Sequence, residues 1–408
     1  MKIWLKLLIG SLVGFLLAVI LPATAGVVSV FDFLATLFVR IGRFMVFPMV
    51  FFSVCIGTYE LTREKRTLAV YRQSAIFLLG ACALLAILGV LTCVIVSPTR
   101  IPIPVEEAEP VSRLTFPQLI LSLFPANLFG VFTGSADVLL PLIVLGLILG
   151  FSMDFDNVAP RVLIQIADSL SRTFYHINAM VSEVIAIGMI AMGASLVLEL
   201  RLHDLSAFRQ LITILSVDTI IVVFGVFPLL LYWLGDKEPP YRWVYAALGP
   251  AIGGFVSGDV YFSLGLLTRH GKESFGVPRT VGSAVYPLFA FFGRAGTALV
   301  TGVTFVLVLR SYSSLEISVL EVLWVMLTTF LVSLLLGSAP GSGALVALSV
   351  LCSLYGRGRQ DAYLIVRPVV PLLVAYGAFL DVLTSAFAGL LVGRTHPEWK
   401  SVEVKDYI

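Results

Sequence analysis

Charge is scarce in this 408-residue chain: 13% of its residues are Asp, Glu, Lys or Arg, against 59% apolar, and the mean hydropathy is +1.01. Such a composition belongs in a lipid bilayer rather than in water. The formal net charge of +2 is too small to imply a nucleic-acid partner. Histidine is also sparse. His176, His203, His270 and His396 are scattered, with no Ser/His/Asp arrangement and no metal-like spacing, which argues against an enzyme. The four cysteines, Cys55, Cys82, Cys93 and Cys352, sit inside apolar runs and read as free, packed thiols rather than as disulfides or zinc ligands.

Long apolar runs are abundant. Residues 3–21 are about long enough to cross a bilayer, and Lys2 and Lys6 precede them as a cytoplasmic anchor would. Ala23-Thr24-Ala25 resembles a cleavage site, but a signal peptide would have a shorter apolar region, so a retained helix is expected. Further runs cover residues 27–59, 68–96, 114–151, 162–200, 205–234, 281–309 and 362–393. Those of more than about thirty residues must tilt, kink or break. Pro48, Pro125, Pro141, Gly188 and Gly193 are the expected break points.

Two runs cannot be continuous helices. Residues 331–354 contain Gly337-Ser338-Ala339-Pro340-Gly341-Ser342-Gly343, and residues 244–267 contain Gly249, Pro250, Gly253, Gly254, Gly258 and Gly265. Proline removes a backbone donor and glycine favours non-helical angles, so backbone amides and carbonyls come free there. Free backbone survives in a membrane only where protein buries it or a wet cavity receives it. Each broken run is followed by a span, which makes a repeat of hairpin plus helix and points to a secondary transporter with its site between the two tips. Most Lys and Arg outside the spans fall on the inner side when both termini are cytoplasmic, with Arg357, Arg359 and Arg367 weakening the bias. The loop 99–110, acidic through Glu106, Glu107 and Glu109, reads as a flexible outer connection.

The order and spacing of several short motifs resemble the dicarboxylate/amino acid:cation symporter family, which includes the glutamate transporters. Phe38-Val39-Arg40 through Pro48 is similar to the family's second helix, Phe124-Pro125-Ala126-Asn127-Leu128-Phe129-Gly130 to its fourth-helix entry, and Gly296-Thr297-Ala298-Leu299 to the end of its Asn-Met-Asp-Gly-Thr signature. Leu336-Gly337-Ser338-Ala339 and Pro340-Gly341 resemble the second hairpin tip. The resemblance implies an all-α integral membrane protein with eight transmembrane helices plus two re-entrant helical hairpins, an elevator-type transporter in the cell membrane that assembles as a homotrimer. It divides the chain into scaffold helices one and two (1–66), helix three of the transport unit (67–99), an outer loop (100–113), scaffold helices four and five (114–204), the rest of the transport unit (205–394) and a cytoplasmic tail (395–408).

The departures from that pattern fall on the chemistry. Asp381 retains the family's amine-binding acid, but the Arg three residues on is Thr384, and a later Asn and Asp are Ala388 and Val392. Thr384 and Ser385 lie on the face of Asp381 and make a short polar strip suited to an ammonium group. An acid in mid-bilayer costs about 2.5–3.5 kcal/mol on insertion scales, so it requires a partner or a function. An ion pair with Arg294 is the alternative use of Asp381. Without the Arg fork a second carboxylate has no grip, which favours a small neutral amino acid over a dicarboxylate. The first tip, Ser257-Gly258-Asp259, is acidic where the family is serine-rich. The expected substrate-binding set is therefore Asp381, Thr384, Ser385, Ser257, Gly258, Asp259, Ser338, Ala339, Pro340 and Gly341, with Gly337, Pro340, Gly341, Ser342 and Gly343 as the gate.

The carboxylates expected to hold sodium are missing. Gly293 and Ala295 replace the signature's Asn and Asp, and Gly80-Ala81 stands where hydroxyls are common. Arg294 brings a fixed positive charge to that neighbourhood and is read as a surrogate cation; its alternative partners are Asp381, Asp259 and Asp218. No cofactor is expected, sodium coupling is atypical or absent, and proton coupling stays open through Glu183, Asp218 and Asp259. A conventional cation-coupled glutamate, aspartate or dicarboxylate symporter, a channel-like anion pathway lined by Arg294 or Arg43, and a non-transporting sensor are the competing readings.

Overall fold

The computed structural model describes residues 2–102, 130–133, 139–154, 161–235, 239–312, 317–339, 341–356 and 358–408. Among them the chain is helical, with no strand. Pro125 and most of the fourth-helix entry motif lie outside the described residues, as do Glu106, Glu107, Glu109, Pro340 and the side chain of Ser338. Seven helical stretches are long and apolar enough to cross a membrane among the described residues.

The amino-terminal half contributes α1 (Ile3–Ile20), α2 (Ala25–Phe44), α3 (Val46–Arg63), α4 (Thr67–Val96), α5 (Leu140–Ser152) and α6 (Arg161–Arg201). The run 27–59 breaks at Met45, three residues before Pro48, and Pro141 lies in the first turn of α5. Gly188 and Gly193 are not break points, because α6 runs through both without interruption. They serve packing instead: the Phe38 ring of α2 lies against Gly188, and the backbone of Ser11 in α1 against Gly193. Missing side chains let neighbouring helices approach closely, which is how helices associate in lipid.

The carboxyl-terminal half begins with α7 (Arg209–Ile221), a π-helical turn (Val222–Val226) and α8 (Phe227–Leu234). Then α9 (Leu248–Ser257) and α10 (Val260–Glu273) pack against each other across a break at Gly258, which adopts φ +64°. Helix α11 (Arg279–Phe292) is separated from α12 (Ala295–Tyr312) by Gly293 and Arg294, so the expected span 281–309 is interrupted there, while the stretch as a whole is long and apolar enough to cross a membrane. The break follows from Gly293, whose ψ of 54° leaves the helical region. A second contacting pair, α13 (Val319–Ser333) and α14 (Gly343–Tyr355), meets around residues 334–342, and α15 (Val370–Arg394) closes the set. Ser318 and Glu321 form a capping box that starts α13.

Helix α12 is buried from Ala295 to Leu309, and α15 from Leu380 to Gly393. Helices that are apolar on all sides belong in the interior. Around them stand α4, α9, α10, α11, α13 and α14, while α1, α2 and α3 pack on α6 and reach the central group chiefly through α9, α10 and α11.

Candidate functional site

The amino end of α12 is where the break between α11 and α12 leaves backbone donors free. Asp381, fully buried on α15, fills that need. Its Oδ1 accepts from the Thr297 amide at 2.9 Å and its Oδ2 from the Thr297 hydroxyl at 2.6 Å. A carboxylate at a helix amino terminus is stabilised by the helix dipole as well as by the hydrogen bonds. Arg294, in the break itself, places Nη1 3.7 Å from Asp381 Oδ2, an ion pair too long to be a hydrogen bond. The Arg294 guanidinium also lies 5.7 Å from the centre of the Tyr261 ring. Its Nε and Nη2 are buried and find no hydrogen-bond partner among the described residues. Tyr261, from the start of α10, donates its hydroxyl to the Gly337 carbonyl and so joins the two helix-pair turns directly.

The polar strip beside Asp381 is turned inward on its own helix. Thr384 donates to the Leu380 carbonyl at 2.7 Å and Ser385 to the Asp381 carbonyl at 2.8 Å. Gly337 packs on the Phe291 ring, Ala339 is buried, Ser342 uses its backbone amide toward the Ala339 carbonyl at 3.4 Å, and Gly343 lies beside Thr297.

A second polar group forms at the first turn. Asp259 caps α10, its Oδ1 accepting from the Phe262 amide at 2.8 Å, and its Oδ2 pairs with Arg43 of α2. Ser257 donates to the Gly253 carbonyl at 2.6 Å and accepts from the Asp259 amide. A Cβ on Gly341 would lie 3.7 Å from Arg43 Nη2 and 3.8 Å from Asp259 Oδ2, so the second turn meets the first at this pair. These residues open onto a cavity of about 520 Å³ whose charged lining is Asp32, Arg40, Arg43, Glu199 and Asp259.

The structure thus divides the expected site. Ser257, Gly258, Asp259 and Gly341 line the cavity, whereas Asp381, Thr384, Ser385 and Arg294 form a closed centre that does not. Sequence reading left Asp32, Arg40, Glu199 and Thr297 out of the site. Thr297 was legible as part of the signature motif and Arg40 as part of the second-helix motif, but Asp32 of α2 and Glu199 of α6 carried no signal, because helix-to-helix proximity is not encoded in local spacing.

Among the described residues no group of three or more His, Cys, Asp or Glu could hold a metal ion. A comparison with curated proteins finds no match. The profile of the sodium:dicarboxylate symporter family matches residues 2–395, nearly the whole chain, and that is a family of transporters rather than of enzymes. With its apolar helices and glycine-broken pairs, the chain belongs to the sodium:dicarboxylate symporter family.

Proposed function

We propose that this protein is a secondary transporter of a small neutral amino acid that works without sodium. The observation that carries the reading is the Arg294–Asp381 pair at the start of α12. A guanidinium fixed there supplies the positive charge that a bound cation would otherwise bring to the buried carboxylate. The paired turns are read as two re-entrant hairpins, α9–α10 and α13–α14. With α4, α7, α8, α11, α12 and α15 they make the transport unit, and α1, α2, α3, α5 and α6 make the scaffold of a homotrimer in the cell membrane, both termini cytoplasmic. The unit moves as an elevator, and residues 337–343 act as the gate.

Cargo is read as entering where the tips meet, with Ser257, Gly258, Asp259 and Gly341 at the cavity wall. The cavity's acids, Asp32, Glu199 and Asp259, outnumber its bases, Arg40 and Arg43. A dianion is repelled by that balance, whereas a zwitterion presents its ammonium to Asp259 and its carboxylate to Arg43.

The test is uptake into proteoliposomes of labelled L-alanine, L-serine and L-aspartate, in sodium and in N-methyl-D-glucamine. Uptake of the neutral amino acids, equal in the two salts, is expected. Strong stimulation by sodium, or preference for L-aspartate, overturns the reading.

A further inference from the structure

Three acids, Asp218, Asp259 and Asp381, are fully buried among the described residues, and two of them have a cation. Asp259 pairs with Arg43, and Asp381 with Arg294. Asp218, 1% exposed on α7, has none among the described residues. Its partner is neutral: the Thr92 hydroxyl of α4 donates to Asp218 Oδ2 at 2.8 Å. On the elements packed against α7 the charged or titratable groups are Tyr71, Arg72, Cys82 and Cys93 of α4, Arg310 and Tyr312 of α12, and Tyr376, Asp381 and Arg394 of α15, with Arg209 at the start of α7 itself; Tyr376 meets Ser216 at 2.7 Å, and none is the ion-pair partner of Asp218.

Thr92 has one hydroxyl hydrogen and two acceptors within reach, Asp218 Oδ2 and the Gly89 carbonyl at 3.1 Å. When Asp218 is a carboxylate, Thr92 donates to it. When Asp218 takes up a proton, the new O–H donates to Thr92 Oγ1, and the Thr92 hydrogen turns to Gly89. Rotation of that one hydroxyl lets Thr92 serve either protonation state of Asp218 Oδ2. The π-helical turn Val222–Val226 begins four residues after Asp218, and such turns gather at functional sites.

We propose that Asp218 and Thr92 form a proton-binding site that carries the coupling ion on the moving part of the protein. The proposal rests on the transporter reading above. A proton added from one aqueous side neutralises the carboxylate, the unit crosses with an uncharged Asp218, and the proton leaves to the other side. Arg294 and its acid need no exchangeable ion in this scheme, and the coupling moves to α7.

The test has two arms on the full-length protein in lipid. Infrared difference spectra between acid and alkaline buffer are expected to show a titrating protonated-carboxyl band that Asp218→Asn abolishes and Asp381→Asn retains. Thr92→Val should move its midpoint to higher pH, because the carboxylate loses its donor. In proteoliposomes an inward proton gradient should stimulate L-alanine uptake several-fold in the wild type and not in Asp218→Asn, while Asp218→Asn still exchanges labelled for unlabelled L-alanine. A band unchanged by Asp218→Asn, or full gradient stimulation in that variant, overturns the proposal. Failure of the wild type to move any amino acid would instead count against the transporter reading, and the infrared titration would still decide the proton site.

Discussion

Asp381 and Arg294 illustrate how little a residue's identity says until its neighbours are known. The acid was legible as a functional residue from its place in an apolar run. Arg294 was legible only as one of its candidate partners, and its engagement by Thr297 was not legible, because both groups lie more than eighty positions away in the chain. Removing one member of a buried ion pair strands the other, at a cost of about 3–5 kcal/mol, whereas removing both is far milder. Asp381→Ala should therefore lower thermal stability in detergent severely, with loss of the α12 cap adding to the effect. Arg294→Met should cost less, since Thr297 still donates twice to Asp381. The double variant should recover part of the loss. Simple additivity of the two single effects in a thermal-unfolding series would show that the pair is not coupled.

At the scale of the element, the glycine-rich breaks were readable from sequence because their cause is local: proline and glycine disfavour the helix wherever they stand. The same residues differ in what they tolerate. Gly258 sits at φ +64°, and a Cβ there would approach Val374 Cγ1 to 2.8 Å, so Gly258→Ala is expected to destabilise by about 1–2 kcal/mol. Gly341 has no such backbone demand, and its nearest neighbours are 3.7 Å away or more. Gly341→Ala should leave the melting temperature within about a degree of wild type, in line with the small effect of an unstrained substitution. Equal losses for the two variants would contradict this account. Gly188 and Gly193 show where local reasoning failed: within α6 they are contact surfaces for α2 and α1, and the neighbours stabilise an unbroken helix through packing.

For the whole molecule, the Arg43–Asp259 pair joins α2 to the turn between α9 and α10. Asp259 is nearly inaccessible there and Arg43 about one-fifth exposed. Arg43→Ala should accelerate amide hydrogen exchange at residues 258–262 and along the carboxyl-terminal part of α2, and leave α12 and α15 protected. Exchange that is unchanged at the turn, or raised throughout, would mean that the pair does not join these parts.

The sequence by itself determined the solvent, the helical class, the two broken runs and the family pattern, because hydropathy, backbone restriction and motif order are properties of adjacent residues. Only the tertiary structure decided which buried acid has a cation and which does not. Asp218 and Asp381 look alike in the chain, each a lone carboxylate in an apolar run. What separates them is the arrival of a guanidinium from the break before α12 in one case and of a threonine hydroxyl from α4 in the other. Electrostatic pairing acts over a few ångströms, and that proximity exists only after the helices have packed.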